Sequence, residues 1–561
     1  MSSSDEVIPL SRWRAVLARA RRGRRAEALL EEPDAARIVA ALPVQELYAI
    51  IQEQGLADSH DLVKMATPDQ IRGLLDFDLW DRDHLVPERG DPWMDALVDA
   101  GPWKLSQVFQ GLDAELVALY LGARIQVYDL SLETPPDESE GQYYPTPDRS
   151  FLLDVLPDGE DGKRVERVVD RLYRGDLDYA RRVIMSVRWE MGAELEEYAY
   201  RWRSGRMADL GFAEHFEALE VYRWLDPASV KIDEDTAEEI AHVTLPAVVA
   251  HAIGERSFLA RALTTVTDPE EIERFEGALI TLVNRVMSAD SISPSDTTAT
   301  APTLDRVAAT VSMGLEFLAQ NDLARGGRAL AGVALVRLFR LGHSLTLKLQ
   351  RAAATLATRG WVTLVPGALS LLDEPLREQI AALLRRPRPE YARSLDDVTK
   401  TETRAFTTLL DLARAAKAIE LAASLGPLFE KGLGVEPRRV VELTLAGVSP
   451  GPAGITFATL GETLAANAIL GRPASLVPVS LGDLQTLRGE HLLADGQLRP
   501  SARHLATRAL EEKLRERAVA APDSWSVLLD GWLARLAQSI TPLASAAPGA
   551  IDAPPGGPLV K

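Results

Sequence analysis

Residues 42–83 read LPVQELYAIIQEQGLADSHDLVKMATPDQIRGLLDFDLWDRD, and the spacing of their apolar side chains decides the fold class. Val44, Leu47 and Ile51, with Tyr48 and Ile50 beside them, recur at three- and four-residue intervals and so share one helix face. Gly55 follows as a stop, because a residue without Cβ takes positive φ at no steric cost. A second helix is predicted from about Asp58. A third starts at Thr67-Pro68-Asp69-Gln70, where Thr67 can cap the free amides, Pro68 fits the first turn and Gln70 can reach back as a capping box. Its buried face is Ile71, Leu74, Leu75 and Leu79. Asp91-Pro92 repeats the cap-then-proline start for a helix carrying Trp93 and Leu97, and Gly101 and Gly111 punctuate the chain towards Leu121. Helices this short are marginal alone, so each must bury its stripe on a neighbour. The stretch 42–121 reads as a stacked array of short helices, a form whose surfaces often bind partners.

Outside that stretch, composition sets bounds. The 561 residues suffice for two to four domains, and 62 basic against 82 acidic side chains leave a net charge of −20. That charge disfavours a general affinity for nucleic acid or anionic lipid. There is no cysteine, hence no disulfide, thiolate metal site or cysteine nucleophile, which fits a cytoplasmic protein. Arginines interrupt every apolar run in the first thirty residues, so no secretory signal is predicted. Ala329 to Leu347, among the most apolar windows, contains Arg337 and Arg340 and falls short of the roughly 20 apolar residues that span a bilayer.

Taken in order, residues 1–30 form a basic N-terminal helix: 11–30 hold arginines at 12, 14, 19, 21, 22, 24 and 25 against the single acid Glu27, with Trp13, Val16 and Leu17 as an apolar edge. This is the one segment suited to an anionic membrane or nucleic acid; the commoner use of such a charged face is as a solvated helix, or one docked on the protein's own acidic body. The short-helix array follows over 31–122. A β-hairpin is predicted near 124–155, from Arg124–Leu130 and Gln142–Val155, with Pro145 and Pro147 confining the second strand to an edge. Helices resume from about Lys163 to Trp224, including one long run RRVIMSVRWEMGAELEEYAYRWRSGRMADLG, and Asp235 and Asp268-Pro269 are further helix starts. Residues 288–303, SADSISPSDTTATAPT, read as a linker between a domain at 123–287 and a C-terminal helical domain at 304–540. The Pro/Ala/Gly-rich end, 541–561, reads as a disordered tail.

The opening run through DRDHLVPER, with SLLDEPLREQIAALLRRPRPEYA and TFATLGETLAANAILG, resembles an uncharacterised bacterial family known only as a domain of unknown function, over most of the chain. Residues 30–125 also resemble the helical N-terminal domain of magnesium transporters and flagellar-motor-switch repeats, where short helices start with Pro-x-[Glu/Gln]. No transmembrane part follows them here, so the resemblance does not carry transport.

The chemistry-bearing patterns are few. Asp76, Asp78, Asp81, Asp83 and His84 sit where the third short helix ends, and such carboxylates suit a hard divalent cation, although the glycine and terminal glutamate of an EF-hand loop are missing. Glu190, Glu194 and Glu197 fall at i, i+4 and i+7, and Glu239-Ile-Ala-His242 has the Glu-x-x-His spacing of di-iron bundles, once where twice is needed. Gly342-His343-Ser344-Leu345-Thr346 approaches a nucleophile elbow but lacks its last glycine and follows a helical pattern. Gly159–Arg164 lacks the length and Ser/Thr of a phosphate loop, and Gly432-Leu-Gly434 lacks the third glycine of a dinucleotide fingerprint. Tyr143, Tyr144 and Phe151 could stack on bases but lie among acids.

These readings point to a mainly α protein acting as a protein–protein scaffold or adaptor, with no catalytic or cofactor-binding residue assigned. The alternative is a metal-binding enzyme or divalent-cation sensor built on Asp76–His84 or on the group of Glu190, Glu239 and His242.

Overall fold

The computed structural model describes residues 24–134, 142–232, 257–365, 367, 369–446, 448, 454–544 and 557–561. The chain is mainly α, with only small antiparallel sheets among these residues. No helix among them is long and apolar enough to cross a membrane. The chain divides into two compact units, 1–342 and 343–561.

The first unit opens with the array: α1 (Arg25–Leu30), α2 (Ala35–Ala40), α3 (Val44–Gln54), α4 (His60–Met65), α5 (Pro68–Asp78), α6 (Asp91–Asp99), α7 (Pro102–Gly111) and α8 (Ala114–Gly122). The predicted stripes form its core: Leu47, Ile50, Ile51, Ile71, Leu74, Leu75, Trp93 and Leu97 are wholly buried. Gly55 ends α3 at φ +92°, and Thr67 and Gln70 form the capping box, their reciprocal bonds 3.1 and 2.8 Å long. The Gln70 amide also donates to the Val39 and Leu42 carbonyls at 2.8 and 2.7 Å, so the cap of α5 pins the turn before α3. Two starts differ from expectation. Residues 56–58 make a 3₁₀ turn and α4 begins after Ser59, while Asp91 stands inside the first turn of α6 without capping it. The Asp91 carboxylate accepts instead from Tyr120 Oη at 2.9 Å and Arg124 Nε at 3.1 Å.

A two-residue ribbon, β1 (Trp80–Asp81) with β2 (His84–Leu85), closes the exit of α5. The predicted hairpin region is a three-stranded sheet of β3 (Ile125–Asp129), β4 (Tyr143–Pro145) and β5 (Phe151–Val155), with β5 central and Val127 and Tyr144 both opposite Leu153. Pro145 lies on edge strand β4, where its missing N–H costs no ladder bond.

Then come α9 (Gly159–Gly175), α10 (Leu177–Trp189), α11 (Gly192–Asp209) and the single turn α12 (His215–Ala218). The long helical run expected here is broken: Glu190 and Met191 are extended, which lets α10 and α11 each pack on α8. The unit ends with α13 (Phe258–Leu263), α14 (Pro269–Ala289), α15 (Thr297–Ala319), α16 (Leu323–Gly332) and the start of α17 (Leu335–Ala357). Residues 288–303, expected as a linker, are the end of α14, a short turn and the start of α15. Asp296 caps α15 by accepting from the amides of Thr298 and Ala299, both at 3.0 Å, so the Ser/Thr/Asp content here is cap chemistry.

The second unit holds α18 (Leu376–Leu383), the ribbon β6 (Tyr391–Ala392) with β7 (Thr403–Arg404), α19 (Leu409–Pro427), α20 (Pro437–Leu445), α21 (Phe457–Ile469), α22 (Leu481–His491), α23 (Pro500–Glu516) and α24 (Trp525–Ile540). Every residue of α21 is buried, and α23 and α24 pack on it. The segment 541–561 departs from its expectation at both described ends. Residues 541–544 form a 3₁₀ turn, and Leu559 and Val560 are buried beside Val479.

Candidate functional site

The two acids of the α5 exit that are not exposed, Asp76 and Asp78, are engaged in structural hydrogen bonds. Asp76, 2% exposed, makes a two-pronged ion pair with Arg206 of α11, Nε to Oδ2 at 2.6 Å and Nη2 to Oδ1 at 2.9 Å. Arg206 also meets Asp113 at 2.8 Å, and Arg203 donates to the Asp76 and Arg82 carbonyls while its guanidinium lies 5.3 Å from the centre of the Trp80 ring. Burial pushes the Asp76 carboxyl up from its ordinary value, and Arg206 and Arg203 pull against it. Asp78 faces another way, accepting from Tyr48 Oη at 3.1 Å and Trp93 Nε1 at 2.7 Å. Asp81, Asp83 and His84 are exposed on the ribbon, with His84 Nδ1 3.5 Å from Glu196. The five expected ligands therefore do not converge, and no group of three metal-ligating side chains does so among the described residues.

The other motifs dissolve in the same manner. Glu190 closes α10 and takes the Ser186 hydroxyl at 2.7 Å, while Glu194 and Glu197 belong to α11, with Glu197 paired to Arg201. Glu239 and His242 lie outside the described residues, as do the arginines at 12, 14, 19, 21 and 22. Arg24 and Arg25 reach Glu27 and Glu53 at 3.9 and 3.5 Å. Ser344 is buried within α17, so no elbow exposes it. Gly342 serves a different purpose: a Cβ there would overlap the Thr310 carbonyl, and one on Gly314 the Leu338 carbonyl. The two glycines let α15 and α17 touch backbone to backbone.

One titratable centre escaped the sequence reading. Glu462, fully buried in α21, accepts from Arg535 Nε at 2.8 Å through Oε1, and its Oε2 has no hydrogen-bond partner. Asp373 lies 3.5 Å from the same arginine and caps α21, taking Thr456 Oγ1 at 2.6 Å and the Ala458 amide at 2.8 Å. Burial, with Asp373 adding to it, pushes the Glu462 carboxyl up to about 8 against the pull of Arg535. The signal was present as a lone acid in the apolar helix FATLGETLAANAI. The site is closed to a reactant, so its chemistry is that of a buried proton.

Exposed large apolar side chains recur along α10 and α11, as others do elsewhere among the described residues, Trp103 and Phe216 included. Tyr179, Ala180, Val183 and Ile184 of α10, and Leu195, Ala199, Arg203 and Met207 of α11, face inward. Outward stand Met185 and Trp189 at i, i+4, then Met191 in the bend, then Tyr198 and Trp202 at i, i+4. Trp189, Met191, Tyr198 and Trp202 are 57, 66, 50 and 59% exposed. The Arg188 guanidinium lies 4.9 Å from the Trp189 ring centre, and Arg201 lies 5.8 Å from that of Tyr198. Large side chains of these types cost solvation free energy when left in water and are enriched at the centres of protein interfaces. The frame beneath is stiff, because the Asp76–Arg206 pair ties α11 to the array.

Comparison with curated proteins and with solved structures gives no match, so the likeness of residues 30–125 to magnesium transporters and motor-switch repeats is not shown. A family model described as a family of unknown function, DUF6178, matches residues 2–552, nearly the whole chain, and the protein belongs to that family.

Proposed function

We propose that this protein is a scaffold or adaptor that holds a protein partner on the α10–α11 corner. The carrying observation is the exposure of Trp189, Met191, Tyr198 and Trp202 on a frame whose opposite face is fully packed. The aromatic rings supply large contact area at small entropic cost, and Arg188 and Arg201 at their edges supply charge-assisted hydrogen bonds to the partner's backbone or acids. The array supplies rigidity, and its acids serve as anchors for α11. Recovery of partners at near-native abundance, from the wild type and from the W189A/W202A variant, tests this. A reproducible partner retained by the wild type and lost from an equally stable variant is the expected result. The same partners on both, or none on the wild type, would count against it.

A further inference from the structure

Residues 557–561, Gly-Pro-Leu-Val-Lys, occupy a groove in the second unit. Gly557, Pro558, Leu559 and Val560 are all buried, Leu559 completely. The segment lies parallel to Val479, whose N–H donates to the Leu559 carbonyl at 2.8 Å and whose carbonyl accepts from the Lys561 N–H at 3.1 Å. The Leu559 N–H donates to Thr463 Oγ1 at 2.9 Å, and that hydroxyl donates in turn to the Thr459 carbonyl at 2.7 Å. The receiving loop is pinned from within: Asn467, fully buried in α21, donates through Nδ2 to the Ser475 and Val477 carbonyls at 3.1 and 2.9 Å. A segment held by a parallel backbone bridge and by buried side chains uses the contacts of peptide recognition by strand addition.

We propose that this groove is a peptide-binding site for an extended, proline-led apolar segment of the Gly-Pro-Leu-Val type, which the chain's own residues 557–561 fill in cis. The occupant's chemistry is read from the seated segment. A proline at its head lowers the entropy lost on extension, Leu559 and Val560 are enclosed, and the groove demands a free N–H at the leucine and at the residue after the valine. Binding in cis is favoured because the segment belongs to the same chain as its groove, so the contact is intramolecular and has a high effective concentration. A partner displaying the same pattern competes with it. The site belongs to the second unit and is independent of the α10–α11 corner.

Fluorescence anisotropy of a labelled Gly-Gly-Pro-Leu-Val-Lys peptide tests the proposal on the full chain and on the full-length L559S/V560S variant. The variant should bind the peptide saturably and at least about tenfold more tightly than the wild type, whose groove is filled by its own residues 557–561. A peptide with aspartate in place of its leucine should not bind. A folded variant that binds no peptide, or binds it no better than the wild type, overturns the proposal. Should the variant not fold by itself, refolding with excess peptide decides: a recovered cooperative melt supports the site, and no recovery overturns it. In the wild type, amides of 559–561 should exchange at least about tenfold faster than those of α21, since a ligand leaves its groove without global unfolding. Equal protection would make the segment ordinary core and overturn the idea.

Discussion

Asp76 and Glu462 show how far a carboxylate's role depends on what surrounds it. Asp76 is buried with two arginines around it, and removing it leaves Arg206 short of its main partner in a largely dry site. D76A should therefore destabilise the first unit by about 3 kcal/mol, in the range for breaking a buried pair, read from urea denaturation. Because the Asp76 and Asp78 oxygens already hold arginine, tyrosine and tryptophan donors, EDTA should leave the thermal melting temperature unchanged. A downward shift would restore the divalent-cation reading. Burial favours the protonated form of Glu462, against the pull of Arg535. The carboxyl's value in the folded chain, about 8, lies above the ordinary 4.5, so its stabilising contribution is complete below about pH 4.5 and is lost as pH rises through about 8. E462Q has no such loss. Relative to the wild type it should gain on the order of 3 kcal/mol between pH 5 and pH 9, and parallel stability profiles would contradict the assignment.

At the scale of elements, local chemistry was legible and long-range use was not. The Thr67–Gln70 box, the Gly55 stop and the Asp268-Pro269 start could be read from the sequence because each is closed within four residues. The break at Glu190–Met191 could not, since helix-forming residues lie on both sides of it and only the structure shows each half packed on α8. Residues 288–303 misled for a related reason: Asp, Ser and Thr mark linkers and helix caps alike, and only the position of α15 distinguishes them. The same limit applies to Gly342: the sequence argues against a reactive turn there but does not reveal the helix crossing that uses it. G342A should destabilise the first unit by about 2 kcal/mol or more through overpacking against the Thr310 carbonyl, measured by thermal or urea melts. A neutral substitution would refute the close crossing.

For the molecule as a whole, the fold class and the family were accessible from the sequence, and the candidate surface was not. The apolar periodicities that fill the core are statistical and many, so they survive being read without coordinates. The α10–α11 corner depends on which face of an amphipathic run is left uncovered, and Trp189, Tyr198 and Trp202 look in the sequence like any other core aromatics. The acidic exit of α5, the one chemical exception in the array, proves to be the anchor that holds this corner in place. The most direct measurement replaces Trp202, and separately Leu445 as a still more exposed control, with a photoreactive side chain and illuminates the protein in its native cells. The proposed role predicts one dominant protein adduct from position 202 and none from 445. Equal labelling from both, or no adduct at 202, would contradict it.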